Sequence, residues 1–161
     1  MKYSLPSSII SPQDLTIAIH EVQDYSAWAH HETIKQKVGA HKPTVAPELN
    51  PATAELLGGW SKVNGTTADS YRQLIESLEH IANHAPTITI TLAAPAPQQV
   101  KEHIVAWCRH SLAESVLVTF SFNSTILGGL VVRAGSHIYD WSLHRRLIDS
   151  AHSFTEVLNH V

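Results

Sequence analysis

The chain has 161 residues, of which 43% are hydrophobic, so it is long enough to bury one core or two small ones. Eleven Lys and Arg against fourteen Asp and Glu give a formal net charge of −3. These charges form no long blocks of one sign, which argues against a nucleic-acid surface and leaves proteins or small molecules as expected partners.

Cysteine usage and the apolar runs limit the expected compartment. Cys108 is the single cysteine, which excludes an intramolecular disulfide and fits a reducing compartment. Pro6, Ser7 and Ser8 interrupt the opening segment, which therefore predicts no secretory signal. No run of about twenty apolar residues occurs, so membrane association is expected only through a partner.

The first part of the chain predicts a long helix and a connector. Residues 11–14, Ser-Pro-Gln-Asp, have the form of a helix start, and this helix is expected to run to about Lys37 and to end at Gly39. Two prolines and a glycine in residues 38–47 favour an extended connector. The expected apolar face of the helix consists of Leu15, Ala18, Ile19, Val22, Tyr25 and Ala29.

Two further helices are expected before the first strand. Asn50-Pro51 begins the second helix, and Thr67 caps the third. Residues 1–85 are therefore predicted to form a short helical domain. The apolar stripe of the third helix consists of Tyr71, Leu74, Ile75, Leu78, Ile81 and Ala82.

At Pro86 the hydrophobic period changes from helical to alternating. Residues 87–92 predict a strand with isoleucine and leucine on one face and threonine on the other. The following helix is expected to carry one apolar side, made of Val100, Ile104, Trp107 and Cys108. The second strand is expected to bury alternate residues, Val116, Val118, Phe120 and Phe122.

The last part of the chain predicts a hairpin and a helix. Residues 130–133 and 137–140 are expected to pair as two strands joined through Gly135. Residues 86–161 thus predict a small β-α-β-β-β-α domain, and the whole chain is expected to belong to the α+β class. The apolar spacing of the final helix is given by Leu143, Leu147, Ala151, Phe154 and Leu158.

The glycines Gly128, Gly129 and Gly135 allow two interpretations. Backbone N–H groups can approach a phosphate where no Cβ intervenes. However, the spacing fits neither the dinucleotide fingerprint nor the Walker loop, and a strand follows. The favoured interpretation is structural, a glycine pair that permits close packing or a bulge.

Asp140, Ser142 and His144 supply the residue types of a hydrolytic triad. Alternate positions at a strand end do not by themselves place nucleophile, base and orienting group in a relay. The favoured roles are therefore a helix cap for Ser142 and a turn-fixing role for Asp140, and no catalytic residue is predicted.

Trp141, Arg145 and Arg146 form a candidate interface. Trp141 lies next to a turn and between polar residues, so it is the tryptophan most expected to be exposed. The two arginines, with Arg133 nearby in sequence, predict either an exposed helix face or a contact with an acidic partner.

Twelve histidines are many for this length. His80 and His84 lie four residues apart, where two imidazoles share a helix face, and His30 and His31 are considered as further ligands. No HExxH motif occurs and no cysteine assists, so solvated surface histidines are the favoured interpretation. Neither a metal site nor a cofactor is predicted.

From Thr87 to Leu147 the order of elements and motifs resembles the C-terminal domain of the δ subunit of bacterial F-type ATP synthases, the equivalent of the mitochondrial oligomycin-sensitivity-conferring protein. The resemblance rests on Ala-Ala-Pro at 93–95, Leu-Gly-Gly at 127–129, Gly135, and Asp-Trp-Ser at 140–142 before a basic helix. Two positions depart from the family pattern, because Asn123 stands where Asp is usual and Trp141 replaces a glycine.

The resemblance implies a non-catalytic stator subunit that links the catalytic head to the peripheral stalk. The implied partners are the α and β subunits of the head and the stalk b subunits, at the cytoplasmic side of the bacterial plasma membrane. It implies a shared structural signature at Gly128, Gly129, Gly135, Asp140 and Ser142. The family's N-terminal domain is a six-helix bundle, so residues 1–85 are expected to be a shortened form of it.

Two other functions stay open at this point. A small metal-dependent enzyme would use some of the histidines, and a stoichiometric metal assay tests for it. A stand-alone adaptor would carry a δ-like domain without belonging to a stalk. Copurification with α, β and b subunits distinguishes an adaptor from a stalk subunit.

Overall fold

The computed structural model describes residues 5–39 and 44–158, with side chains through residue 150. The chain divides into two compact units, Met1–Ala85 and Pro86–Val161. The first unit is helical and the second combines helices with a four-stranded sheet. The predicted α+β class is therefore confirmed.

The first helix, α1, spans Pro12–Val38 and has defined signals at both ends. Ser11 accepts a hydrogen bond from the Asp14 N–H while the Asp14 carboxylate accepts one from the Ser11 N–H, which is a capping box. At the other end Gly39 adopts a left-handed conformation with φ of 75°. The helix start and end predicted from the sequence are thus confirmed.

The helices α2, Pro51–Asn64, and α3, Ala68–His84, complete the first unit. Their N-caps are Asn50 and Thr67, as predicted. α1 packs mainly against α3. Several side chains at the predicted helical spacings form the core, namely Leu15, Ala18, Val22, Leu56, Leu57, Trp60, Tyr71, Leu74 and Leu78.

The described part of the connector, residues 44–50, has no helix or strand and lies along α1. The N–H of Thr44 donates to Glu32 Oε1 at 2.9 Å, and the N–H of Asn50 donates to Glu21 Oε2 at 3.0 Å. The bond from the Thr44 N–H is the main cause of a lowered pKa for Glu32. Trp28 Nε1 adds a bond to the Thr44 carbonyl at 3.1 Å. Residues 40–43 of the predicted connector lie outside the described part.

The sheet of the second unit contains β1, Thr87–Leu92; β2, Leu117–Phe122; β3, Leu130–Ala134; and β4, His137–Asp140. Its strand order is β2-β1-β3-β4. β1 and β2 are parallel and are joined by α4, Gln98–Ser111, whereas β1–β3 and β3–β4 are antiparallel. A single 3-10 turn, Ser124–Ile126, and the final helix α5, Leu143–Leu158, complete the unit.

The prediction of which residues are buried was only partly correct in β2 and α4: Val116, Val118 and Cys108 are buried as predicted, but other residues are not. In β2 the structure buries three successive residues, Val116, Leu117 and Val118, and leaves Phe122 48% exposed. β2 lies at the sheet edge, so its last residues have little cover; the Lys101 ammonium lies 5.9 Å from the Phe122 ring centroid. In α4 the buried residues are Val105 and Cys108, whereas Val100 and Trp107 are exposed.

The final helix is less covered than its apolar spacing predicts. Leu143 and Leu147 are about half exposed, at 47% and 52%. The side chains of Ala151, Phe154 and Leu158 lie outside the described part of the chain. Among the described residues no helix has the length and apolar character needed to span a bilayer.

Candidate functional site

The Gly128–Gly129 pair lies where the chain passes the start of α5. Gly129 has φ of 78°, and a Cβ added there would lie 2.3 Å from the carbonyl oxygen of Trp141. The carbonyl of Gly128 accepts a hydrogen bond from the N–H of Leu143 at 2.9 Å. Because the space beside Gly129 is filled by a carbonyl oxygen, which repels anions, the geometry favours close packing over phosphate binding.

Asp140 and Ser142 form the start of α5. Asp140 Oδ1 accepts the Ser142 N–H at 2.9 Å, and Ser142 Oγ accepts the Arg145 N–H at 3.1 Å. The side chain and the N–H of Ser142 are the first causes of a lowered pKa for Asp140. Ser142 is only 1% exposed and its oxygen serves the helix end, so it is not placed as a nucleophile with His144.

Gly135 lies in the tight turn between β3 and β4. Its φ of 59° lies in the left-handed region, where glycine is unstrained, and it lies in the two-residue connection between the paired strands. Gly128, Gly129, Gly135, Asp140 and Ser142 are thus all found at turns or at a helix start.

The basic residues are exposed but do not all share one face. Arg145 Nε lies 3.2 Å from Asp149 Oδ2, an ion pair between two side chains that are each more than half exposed. Arg146 is also exposed on α5. Arg133 is a residue of β3 that alternates with Val132, so the two side chains lie on opposite faces of the sheet.

The second unit contains a groove of about 650 Å³ between α4 and one face of the sheet. Paired residues of β1 and β3 form the floor of the groove, because directly paired residues share a face of the sheet. The pairs are Ile88 with Ala134 and Ile90 with Val132. The alternation of threonine and aliphatic residues in β1 places the aliphatic side chains toward this groove. The other lining residues are His103, Ile104, Trp107, Cys108, Leu112, Leu130, Tyr139 and Trp141.

Large aromatic side chains form the accessible rim of the groove. Trp107 on α4 is 63% exposed and Trp141, at the start of α5, is 60% exposed. Tyr139 and Trp141 stack with their ring centroids 6.0 Å apart and their planes at 20°. The exposure predicted for Trp141 is therefore observed. Exposed tryptophan and tyrosine around an apolar hollow are typical of a surface that binds another apolar surface.

The titratable groups in the groove do not form a catalytic arrangement. Cys108 is 2% exposed, and burial raises the pKa of its thiol, which disfavours the reactive thiolate. His103 Nδ1 is bonded to the Gln99 carbonyl at 2.8 Å. No lining residue of the groove is an aspartate or a glutamate.

His30 is not brought to the His80–His84 pair as a third ligand. His80 and His84 lie at the C-terminal end of α3, whereas His30 lines a small hollow with Thr67 and Tyr71 at its other end. The length of α3 between those ends is about 20 Å at 1.5 Å per residue. Within residues 5–39 and 44–150, whose side chains the structure describes, no group of three or more His, Cys, Asp or Glu is placed to hold a metal ion.

Sequence patterns missed the groove because its residues come from four elements, β1, α4, β3 and β4, and from two positions outside them, Leu112 and Trp141. The prediction placed Trp107 in the apolar side of α4 without separating core from accessible lining. One signal was available: α4 carries more apolar residues than one narrow contact stripe needs, since Ile104 and Trp107 add to the buried Val105 and Cys108.

Comparisons with known proteins agree with the resemblance in the second unit. The sequence profile of the ATP synthase delta (OSCP) subunit family matches residues 63–153. An ATP synthase subunit delta of Moorella thermoacetica is 25% identical over 144 residues, which cover 84% of this chain and 77% of that protein. The ATP synthase subunit delta of Caulobacter vibrioides is 32% identical over 102 residues, covering 62% of this chain and 54% of that protein.

The matched segment contains the whole of the sheet, the groove and the glycine junction. It also contains the start of α5, where Asp140 and Ser142 form the helix cap. A metal-dependent enzyme is not favoured, since delta subunits are structural components. The chain therefore belongs to the ATP synthase delta (OSCP) subunit family, whose members are peripheral-stalk subunits of F-type ATP synthases.

Proposed function

We propose that this chain links the catalytic head of a proton-translocating F-type ATP synthase to its stalk b subunits, at the cytoplasmic side of the bacterial plasma membrane. The observation that carries the proposal is the aromatic-rimmed apolar groove in the part of the chain that the family profile covers. The subunit carries out no chemistry of its own, and its association with the membrane goes through its partners.

A stator joint has to resist torque, and this requirement selects for a particular kind of surface. The head would turn with the central shaft unless a rigid connection held it. Such a connection needs broad apolar burial on elements that do not yield. The groove meets this description, because its floor is a hydrogen-bonded sheet and its wall is the helix α4.

We assign the groove to a helix of the stalk b subunit. An amphipathic helix binds an apolar groove by inserting side chains spaced three or four residues apart. Exposed tryptophans at the rim, Trp107 and Trp141, are the residue type that contributes most to such interfaces. Lys101 and His103 lie on α4 and favour acidic residues beside the apolar stripe of the partner.

The helical unit, residues 1–85, is assigned to the α and β subunits of the head. The described part of this unit contains three helices, α1, α2 and α3, whereas the bundle of the family has six. In the proposal each unit therefore faces a different partner, and residues 86–161 face the stalk.

The test is to measure binding of the purified chain to a soluble helical fragment of the b subunit by isothermal titration calorimetry. In W107A we expect the affinity to fall by about tenfold or more, because an aromatic anchor is removed. I138A is the matched control: Ile138 is 55% exposed on β4, next to Tyr139 but on the opposite sheet face.

Circular dichroism and the thermal midpoint establish that both variants are folded. Wild-type affinity in W107A and weakened binding in I138A would place the contact on the other face and contradict the assignment. Failure of the wild-type chain to bind b, combined with absence of α, β and b from pull-downs out of native membranes, would contradict the stalk function itself.

A further inference from the structure

We propose that His80 and His84 form a two-histidine site for a divalent ion that prefers nitrogen ligands, such as Ni²⁺, Cu²⁺ or Zn²⁺. They are the only two histidines in the sequence that lie three or four residues apart. This spacing places both side chains on one face of α3. The inference concerns the helical unit and does not depend on the proposed function of the groove.

The two imidazoles lie against each other on the surface of α3. Their ring centroids are 4.3 Å apart and their planes differ by 18°. A bound ion lies about 2.0–2.1 Å from each nitrogen ligand, so two ligating nitrogens are separated by about 3–4 Å. Both side chains are exposed, so a small rotation of either ring reaches this separation without disturbing the core.

A backbone hydrogen bond leaves Nε2 as the ligating nitrogen of one of the two rings. His84 Nδ1 lies 2.9 Å from the carbonyl oxygen of His80. A carbonyl oxygen only accepts, so Nδ1 carries the hydrogen and the neutral ring presents its lone pair at Nε2. Metal-ligating histidines commonly donate their other N–H to a backbone carbonyl, which fixes the tautomer and the ring orientation.

The site supplies two protein ligands and leaves the other positions to water. This follows because the described residues contain no group of three or more metal-ligating side chains. Exposed imidazoles with open positions suit ions of the later first-row series better than Mg²⁺ or Ca²⁺, which take oxygen ligands. Binding to the folded helix and not to the unfolded chain will raise the thermal midpoint of the protein.

The experiment uses the full-length chain without an affinity tag, freed of metal by a chelator, and Ni²⁺ as the probe in titration calorimetry. The expected result is one Ni²⁺ per chain and a thermal midpoint that rises with Ni²⁺ concentration. In H80N and in H84N the affinity should fall by about tenfold or more, and the rise in midpoint should disappear.

H103N is the matched control, because His103 has the same Nδ1 contact with a backbone carbonyl on α4 but no second histidine three or four residues away. H103N should bind Ni²⁺ as the wild type does. Absence of binding by the wild type would overturn the inference. Equal binding by wild type, H80N and H84N would also overturn it, since it would show an adventitious ion only, held by other residues.

Discussion

At the scale of single residues, Gly129 is the position where the backbone allows no side chain. Two features oppose a side chain at this position: φ is 78°, and an added Cβ would lie 2.3 Å from the Trp141 carbonyl oxygen. Gly129→Ala should lower the free energy of unfolding by on the order of 1–3 kcal/mol, through strain at both places. The measurement is chemical denaturation of the full chain, followed by circular dichroism.

Gly128→Ala is the control for this prediction. A Cβ at Gly128 would lie 3.7 Å from Leu143 Cβ, an ordinary contact, and Gly128 does not have positive φ. G128A should therefore change the unfolding free energy by no more than about 0.5 kcal/mol. If both variants unfold at the same denaturant concentration as the wild type, the close backbone contact at Gly129 does not require glycine and the prediction is wrong.

At the scale of elements, the stability that the cap of α5 gives to the fold should depend on pH, because the cap contains the carboxylate of Asp140. Hydrogen bonds from Ser142 hold the pKa of Asp140 below its ordinary value of 3.8. A lowered folded-state pKa stabilises the fold above the unfolded-state pKa, and this stabilisation is lost as pH falls through the folded-state pKa. Wild type should therefore exceed D140N in stability at neutral pH, and the difference should shrink below about pH 4.

Urea midpoints of wild type and D140N between neutral pH and about pH 2.5 measure this difference. Asn keeps an oxygen that accepts the Ser142 N–H, so D140N removes the charge and preserves the turn. In the S142A background the difference should be smaller, because the Ser142 side chain is the largest cause of the shift. A difference that stays constant across the pH range would refute the role of the charge.

Local sequence signals predicted the elements and their ends better than the packing between them. The capping box at Ser11, the caps at Asn50 and Thr67, and the alternation in β1 act within a few residues, so they are visible in sequence. The strand order β2-β1-β3-β4 depends on distant pairings that no local pattern contains.

The orientation of α4 shows why the candidate site was only partly predictable. The predicted apolar side of α4 was centred near Ile104, whereas the residues that pack against the core are Val105 and Cys108. Neighbouring residues are separated by about 100° around a helix axis, so the buried side differs from the predicted one by roughly that angle. Core and binding groove are both apolar, so hydrophobic spacing does not separate Val105 from Trp107. The signature around Gly128 and Asp140 was found because it lies in one short segment, but it marks architecture and not the groove.

At the scale of the whole molecule, we propose that residues 1–85 and 86–161 are separately stabilised domains within one chain. Each compact unit has its own buried residues, with Leu74 at 0% exposure in the first and Leu117 at 2% in the second. Truncating a buried leucine to alanine costs about 2–5 kcal/mol, and this loss stays within the cooperative unit that contains the cavity.

Hydrogen exchange of the full-length chain, read by mass spectrometry of peptides, tests this proposal with L74A and L117A as a matched pair. L74A should speed exchange in α1 and α3 and leave β1 and β3 at the wild-type rate, since each leucine is buried within its own compact unit. L117A should do the reverse. Faster exchange in both units for either variant would show that the chain unfolds as one cooperative unit and would contradict the proposal.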